Sequence, residues 1–163
     1  MAYTTLIDPD TLFAHLDDPR WVVVDCRFNL ADTEAGRRAY WQGHIPGARY
    51  AHLDTDLAGP RTPDSGRHPL PDPDQLSRTL AQWGIGDATQ VVAYDDAGGA
   101  MAARLWWLLR WLGHPAAAVL DGGLPAWRRR HLPLTAAPPD SRPATFTPRR
   151  DDSLWLDTAA VQA

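Results

Sequence analysis

Two carboxylates and two glycines stand together where an apolar run ends. Residues 91–101 read VVAYDDAGGAM, so Asp95 and Asp96 follow the run, and Gly98 and Gly99 precede a helical pattern. Such a stretch writes a strand, a tight loop and a helix N-terminus, whose unsatisfied backbone N–H groups collect anions. Yet the loop carries no nucleophile, and its carboxylates oppose an anionic ligand. Acidic residues there also stabilise the helix by about 0.3–1 kcal/mol. The only thiol is Cys26, in WVVVDC (21–26). It reads either as a small hydrophobe buried in a core strand, and inert, or as a nucleophile at the C-terminal edge of its strand. His44, in GHIPGA, has two readings as well. It braces the turn at Pro46 and Gly47 by hydrogen bonds, or it faces a cleft as an acid or base. Arg104 is placed to pair with Asp25 and so tie a helix to the neighbouring strand. The six histidines lack the close spacing of a metal site, and a single cysteine rules out an internal disulfide and a four-thiolate metal site. No serine lies on a G-x-S-x-G elbow.

These residues need elements to position them. TTLI (4–7) reads as a short strand, and Asp8-Pro9 as the cap and first position of a helix to about Leu16. WVVVDC, QVVAY (90–94) and AAAVL (116–120) are continuous apolar runs suited to buried parallel strands. Between them lie a polar helix over 32–42, a turn and short strand over 44–50, and a helix from Asp72-Pro73 to Trp83. Helices over 99–112 and 123–130 follow, the second bringing Trp127 of DGGLPAW back onto the sheet. Residues 54–73 hold five prolines and two glycines and read as a long loop. Alternating strands and helices imply an α/β domain, a parallel sheet with helices on both faces, over residues 1–130.

Residues 131–150 are proline-rich and read as a linker. DSLWLDTAAVQA then resembles the opening TTLIDPDTLFAHL: an apolar strand, an aspartate, the first turns of a helix. Either a second copy of the domain begins at 151–163, or a C-terminal helix docks on this one.

The chain has 163 residues, 44% hydrophobic and 22% charged, which suits one soluble globular domain. Its formal charge of −4 and the lack of a basic stripe argue against nucleic-acid binding. No apolar run reaches the ~20 residues that span a bilayer, and the N-terminus lacks a signal-peptide layout. The expected location is cytoplasmic.

Taken together, VVVDCR, YWQGHIPGA, VVAYDDAGGAMAARLWWLLRWLGH and VLDGGLPAW, in that order, resemble the rhodanese family of sulfurtransferases over about residues 4–130. The resemblance implies a three-layer fold on a five-stranded parallel sheet and no cofactor. In active members the strand matching VVAY leads into a cysteine that carries sulfane sulfur as a persulfide. Here Asp95 stands in its place. The N-terminal halves of tandem rhodaneses share that aspartate, the Arg104-x-Trp106-Trp107 helix and the Gly-Gly turn before Trp127. The resemblance therefore implies a non-catalytic domain that scaffolds and walls a site in a second half. That site would take a small anionic donor, thiosulfate or 3-mercaptopyruvate. Phe28 matches an aromatic near the sulfur, Ala100 and Met101 match two more, and His44 matches the histidine of the signature turn. With Asp95 and Asp96 they are the expected cleft residues; Asp25, Arg104 and Trp127 are the expected structural ones. The face around Phe28, Met101 and loop 54–73 is expected to meet a partner domain or to be covered by the tail. The alternative is a stand-alone inactive module for protein binding or regulation.

Overall fold

The computed structural model describes residues 2–140, 142–157 and 160–161. Along the chain run β1 (Leu6–Ile7), α1 (Pro9–Phe13), β2 (Trp21–Asp25), α2 (Ala35–Gln42), β3 (Arg49–Tyr50) and α3 (Pro73–Gln82). Then follow β4 (Gln90–Tyr94), α4 (Ala102–Trp111), β5 (Ala117–Leu120) and α5 (Gly123–Arg129). The strands form one parallel sheet in the order β1-β5-β4-β2-β3. This is the five-stranded parallel sheet that the resemblance implies.

Strand side chains alternate between two cores. Val22 and Val24 of β2 and Val91 and Ala93 of β4 pack with Leu76 and Leu80 of α3 and with Leu105, Leu108 and Leu109 of α4. Val23, Val92, Tyr94 and Ala118 face the other way, onto Leu12, Leu124 and Trp127. Trp127 is fully buried there, and its indole N–H donates to Pro133 O at 2.8 Å. Both faces are covered, which is why the strands read as unbroken apolar runs.

The aspartate-proline starts behave as written. Asp8 accepts from Asp10 N and Thr11 N at 3.1 and 3.0 Å, and Asp72 from Gln75 N at 2.8 Å. Helix α1 ends at Phe13, earlier than expected, because i→i+3 bonds from His15 N to Leu12 O and from Leu16 N to Phe13 O tighten its last turns. Helix α4 opens at Ala102 rather than 99, for a reason that belongs to the site.

The proline-rich segment is laid along the domain. Thr135 exchanges two backbone hydrogen bonds with His44, both 2.9 Å. Ala144 N donates to Ala81 O, Arg149 N to Leu112 O and Asp151 N to Trp111 O at 2.8–2.9 Å, and Phe146 packs on the core. Gly113 makes room for this strap: at φ +77° it ends α4, and a Cβ would come within 2.6 Å of Arg149 O. Residues 151–156 continue to the C-terminal end of α4, where Trp111 Nε1 donates to Asp152 at 3.2 Å. They therefore lie away from Phe28 and Met101, at the far end of that helix. Residues 158, 159, 162 and 163 of the expected second copy lie outside the described residues.

Candidate functional site

Strands β2 and β4 end side by side, with Asp25 opposite Tyr94. One residue on, the Asp95 side chain turns back into the loop that follows it. Its Oδ1 accepts from Ala97 N at 2.9 Å and Gly99 N at 2.8 Å; its Oδ2 accepts from Met101 N at 2.7 Å and Ala102 N at 2.8 Å. The residue is wholly buried. The anion cradle announced by the sequence is formed, and the anion in it is the loop's own carboxylate. This delays α4: residues 97–101 wrap the carboxylate, and the first helical N–H is capped from seven residues upstream. The floor is tight. Leu124 N donates to Asp95 O at 2.8 Å, and a side chain at Gly123 would collide with that oxygen. Asp96 and Ala100 are exposed on the rim and Met101 is half-buried.

Beneath the loop, charge is buried and fully paired. Arg27 Nε donates to both oxygens of Asp25 at 3.0 Å, and its Nη2 to Oδ2 at 2.6 Å and to Gly43 O at 2.8 Å. Asp25 also accepts from Tyr94 Oη at 2.7 Å, and Tyr94 Oη accepts from Ile45 N at 3.2 Å. Burial pulls the Arg27 guanidinium down, but the hydrogen bonds and charge of Asp25 outweigh it and hold it raised. Burial first, then the Asp25 charge, pushes the Tyr94 phenol well above its ordinary value. Asp25 thus pairs with Arg27, two residues away, and not with Arg104 as expected. Arg104 instead donates from Nε to Leu57 O at 2.9 Å, and from Nη2 to His68 O and Pro69 O at 3.1 and 3.0 Å.

His44 is wholly buried, stacked on Tyr40 at 3.9 Å between ring centroids. Its Nδ1 lies 2.8 Å from Tyr40 O and its Nε2 3.1 Å from Ala137 O. Of its two readings the geometry is that of the brace, holding α2, the turn and the strap together. Cys26 is buried too, and burial, followed by the charges of Asp25, Asp95 and Asp56, pushes its thiol well above the usual value. That is the inert reading.

Beside the cradle the loop between β3 and α3 brings up a group that composition did not point to. Phe28 lies edge-on to His52 at 5.1 Å and to His68 at 6.3 Å. His68 Nε2 is 3.0 Å from Asp54 Oδ1, and both side chains reach solvent. His52 is enclosed: Nδ1 accepts from Asp54 N at 3.2 Å, leaving Nε2 to donate toward Thr33 O at 3.1 Å and Glu34 Oε1 at 3.3 Å. A histidine bonded to a carboxylate through one nitrogen can hold or move a proton at the other. Cavities of about 540 and 450 Å³ open elsewhere, both lined by Trp21 at the N-terminal end of β2 and the first also by Gln90 at that of β4.

A family model described as a rhodanese-like domain matches residues 8–130. The chain belongs to the rhodanese family. Among curated relatives, a probable 3-mercaptopyruvate sulfurtransferase of Pseudomonas aeruginosa is 47% identical over all of this chain and 58% of its own length. The human 3-mercaptopyruvate sulfurtransferase is 40% identical over 72% of this chain and 39% of its own. Among solved structures, the Escherichia coli 3-mercaptopyruvate sulfotransferase SseA superposes with a TM-score of 0.86 at 26% identity, over 98% of this chain and 61% of that one. The chain thus spans about two fifths to three fifths of the length of these three relatives.

In this rhodanese-like domain the loop after the fourth strand keeps its donors converged on one point, and a carboxylate sits there. Phe28, Asp96, Ala100 and Met101 all belong to the same end of the sheet as Asp95. His44 lies behind that end, under the strap. His68, Asp54 and His52 escaped sequence reading because a loop has no periodicity to mark a face. Arg27 left a signal: residues two apart on an extended chain point to one side, so Asp25-x-Arg27 announces its own pair.

Proposed function

We propose that this chain is the non-catalytic half of a two-domain sulfurtransferase. It scaffolds the active site of a second rhodanese domain and forms one wall of it. One observation carries the reading: the four N–H donors that would hold a persulfide and its anionic donor are saturated by Asp95. A loop so filled binds no donor and offers no sulfur acceptor. The relatives' greater length agrees with a second half. So does the tail. Ala160 N donates to Asp157 Oδ1 at 2.7 Å and Val161 N to Asp157 O at 3.1 Å, repeating the bonds that Thr11 N and Leu12 N make to Asp8 at 3.0 and 3.1 Å.

In the reaction proposed, a cysteine thiolate of the second domain attacks the outer sulfur of thiosulfate or the sulfur of 3-mercaptopyruvate. The persulfide bond forms as sulfite or the pyruvate enolate leaves, and the enolate takes up a proton. A thiophilic acceptor such as cyanide then takes the outer sulfur and releases the thiolate. From this half, Phe28 and Met101 supply apolar wall, and the His68–Asp54 pair lies on the same face as a proton-handling group.

The test begins with the coding sequence past codon 163. An in-frame second Gly-His-x-Pro-Gly turn with a cysteine-led loop, and thiocyanate formation by the longer protein but not by these 163 residues, is the expected result. A stop codon directly after Ala163 sinks the tandem reading and leaves the stand-alone module.

A further inference from the structure

Arg104 is the one motif residue whose expected partner failed, and its actual partners are unusual. It is half-buried, and burial lowers its pKa. Its guanidinium bonds three backbone carbonyls, Leu57, His68 and Pro69, rather than a carboxylate. These carbonyls stand near the two ends of the loop between β3 and α3, residues 51–72, which holds no helix or strand. Loops of that length are functional or mobile unless something closes them. Gly59 N donates to Pro69 O at 3.1 Å, and Leu57 is buried, so Arg104 sits at the neck. Beyond the neck, residues 60–64 and 66–67 are exposed.

We propose that Arg104 is a positioning residue: by stapling the neck of this loop it fixes the His68–Asp54 pair at the open face beside Phe28. The proposal rests on the functional reading above. His68 is held from two directions. Its carbonyl is pinned by Arg104, and its ring lies edge-on to Phe28 and 3.0 Å from Asp54. Only a planar fork reaches carbonyls from both ends of the loop at once, so an ammonium is no substitute. The core contacts of α4 come from Leu105, Leu108 and Leu109. The helix is thereby anchored without the arginine, whose hydrogen bonds serve the loop. A residue that sets the geometry of a proton-handling group acts on the chemical step more than on substrate binding.

The experiment has two arms, each with Arg104→Lys and Arg104→Gln. In the 163-residue chain, amide hydrogen exchange is followed. Protection of Gly59 and its loop neighbours is expected to fall about tenfold or more, while Val92 and Ala93 of β4 hold theirs. In the full-length protein, kcat for sulfur transfer is expected to fall about tenfold with the donor's KM within about twofold, and Arg104→Lys to recover only part of the loss. Unchanged loop exchange, or equal loss in loop and strand, overturns the staple. A rise in KM alone, or full recovery by lysine, overturns the positioning role. A wild-type full-length protein that transfers no sulfur overturns the functional reading and the positioning role together, while the exchange arm still decides the staple.

Discussion

The most consequential side chain is Asp95, since it fills a nest of four converging N–H donors. Four N–H groups converge on a buried carboxylate, so removing it orphans them all. Asp95→Ala is expected to lower stability by about 3–5 kcal/mol, read as a fall in the denaturant midpoint at unchanged slope. Asp95→Asn, which turns an N–H2 group against two donors, is expected to lose at least about half of that. A neutral Asp95→Ala would show that the loop holds its shape unaided. Asp95→Cys replaces the trapped carboxylate with a thiol that the same donors favour as thiolate. The neighbouring Asp96 charge opposes that thiolate and repels a thiosulfate dianion. Little persulfide is expected from the single variant, and more once Asp96→Arg is added, with mass spectrometry reading the gain of one sulfur atom. Cys26 is expected to react with a disulfide reagent only after unfolding, and Cys26→Ser to leave thiocyanate formation at the blank.

Among the elements, the strap carries the clearest test. A free linker can be cut away without loss. Residues 131–151 instead supply Thr135 to His44, Phe146 to the core and a run of N–H donors to the ends of α3 and α4. Truncation after Arg130 is therefore expected to lower Tm and to raise binding of a hydrophobic dye; an unchanged Tm would return the segment to a linker. Composition could not foresee this, because proline-rich chain looks the same whether it is free or laid on a surface. What was legible had local causes. The bounds of β4 and the start of α3 follow from an apolar run and an aspartate-proline cap. The start of α4 has no local signal, because its cap comes from a side chain seven residues away. Asp25 takes Arg27 rather than Arg104 because a partner two residues along the same strand end is already within reach. The His68–Asp54 contact depends on how a long loop closes, and neighbouring residue types do not encode that.

For the whole molecule, acid sensitivity has a definite sign. His114 is buried with Nε2 2.8 Å from Thr89 O, against Phe146 of the strap, and burial lowers its pKa. The unfolded chain therefore binds a proton at higher pH than the folded one. Stability is full above the unfolded value of about 6.5 and is lost as pH falls through the folded pKa. Urea midpoints are expected to decline below about pH 6.5, and His114→Gln to flatten that slope. An identical slope in the variant would assign the decline to other groups.

The filled cradle also bears on how such a domain survives mutation. On the proposed function, chemistry is not asked of this half, and selection at position 95 acts through stability alone. Most replacements leave converging amides with nothing to bind, and the destabilised protein is lost to proteolysis. Aspartate is the exception, because it carries its own anion and reaches all four donors. A relative bearing alanine there is expected to survive only with a stabilising change elsewhere in the fold.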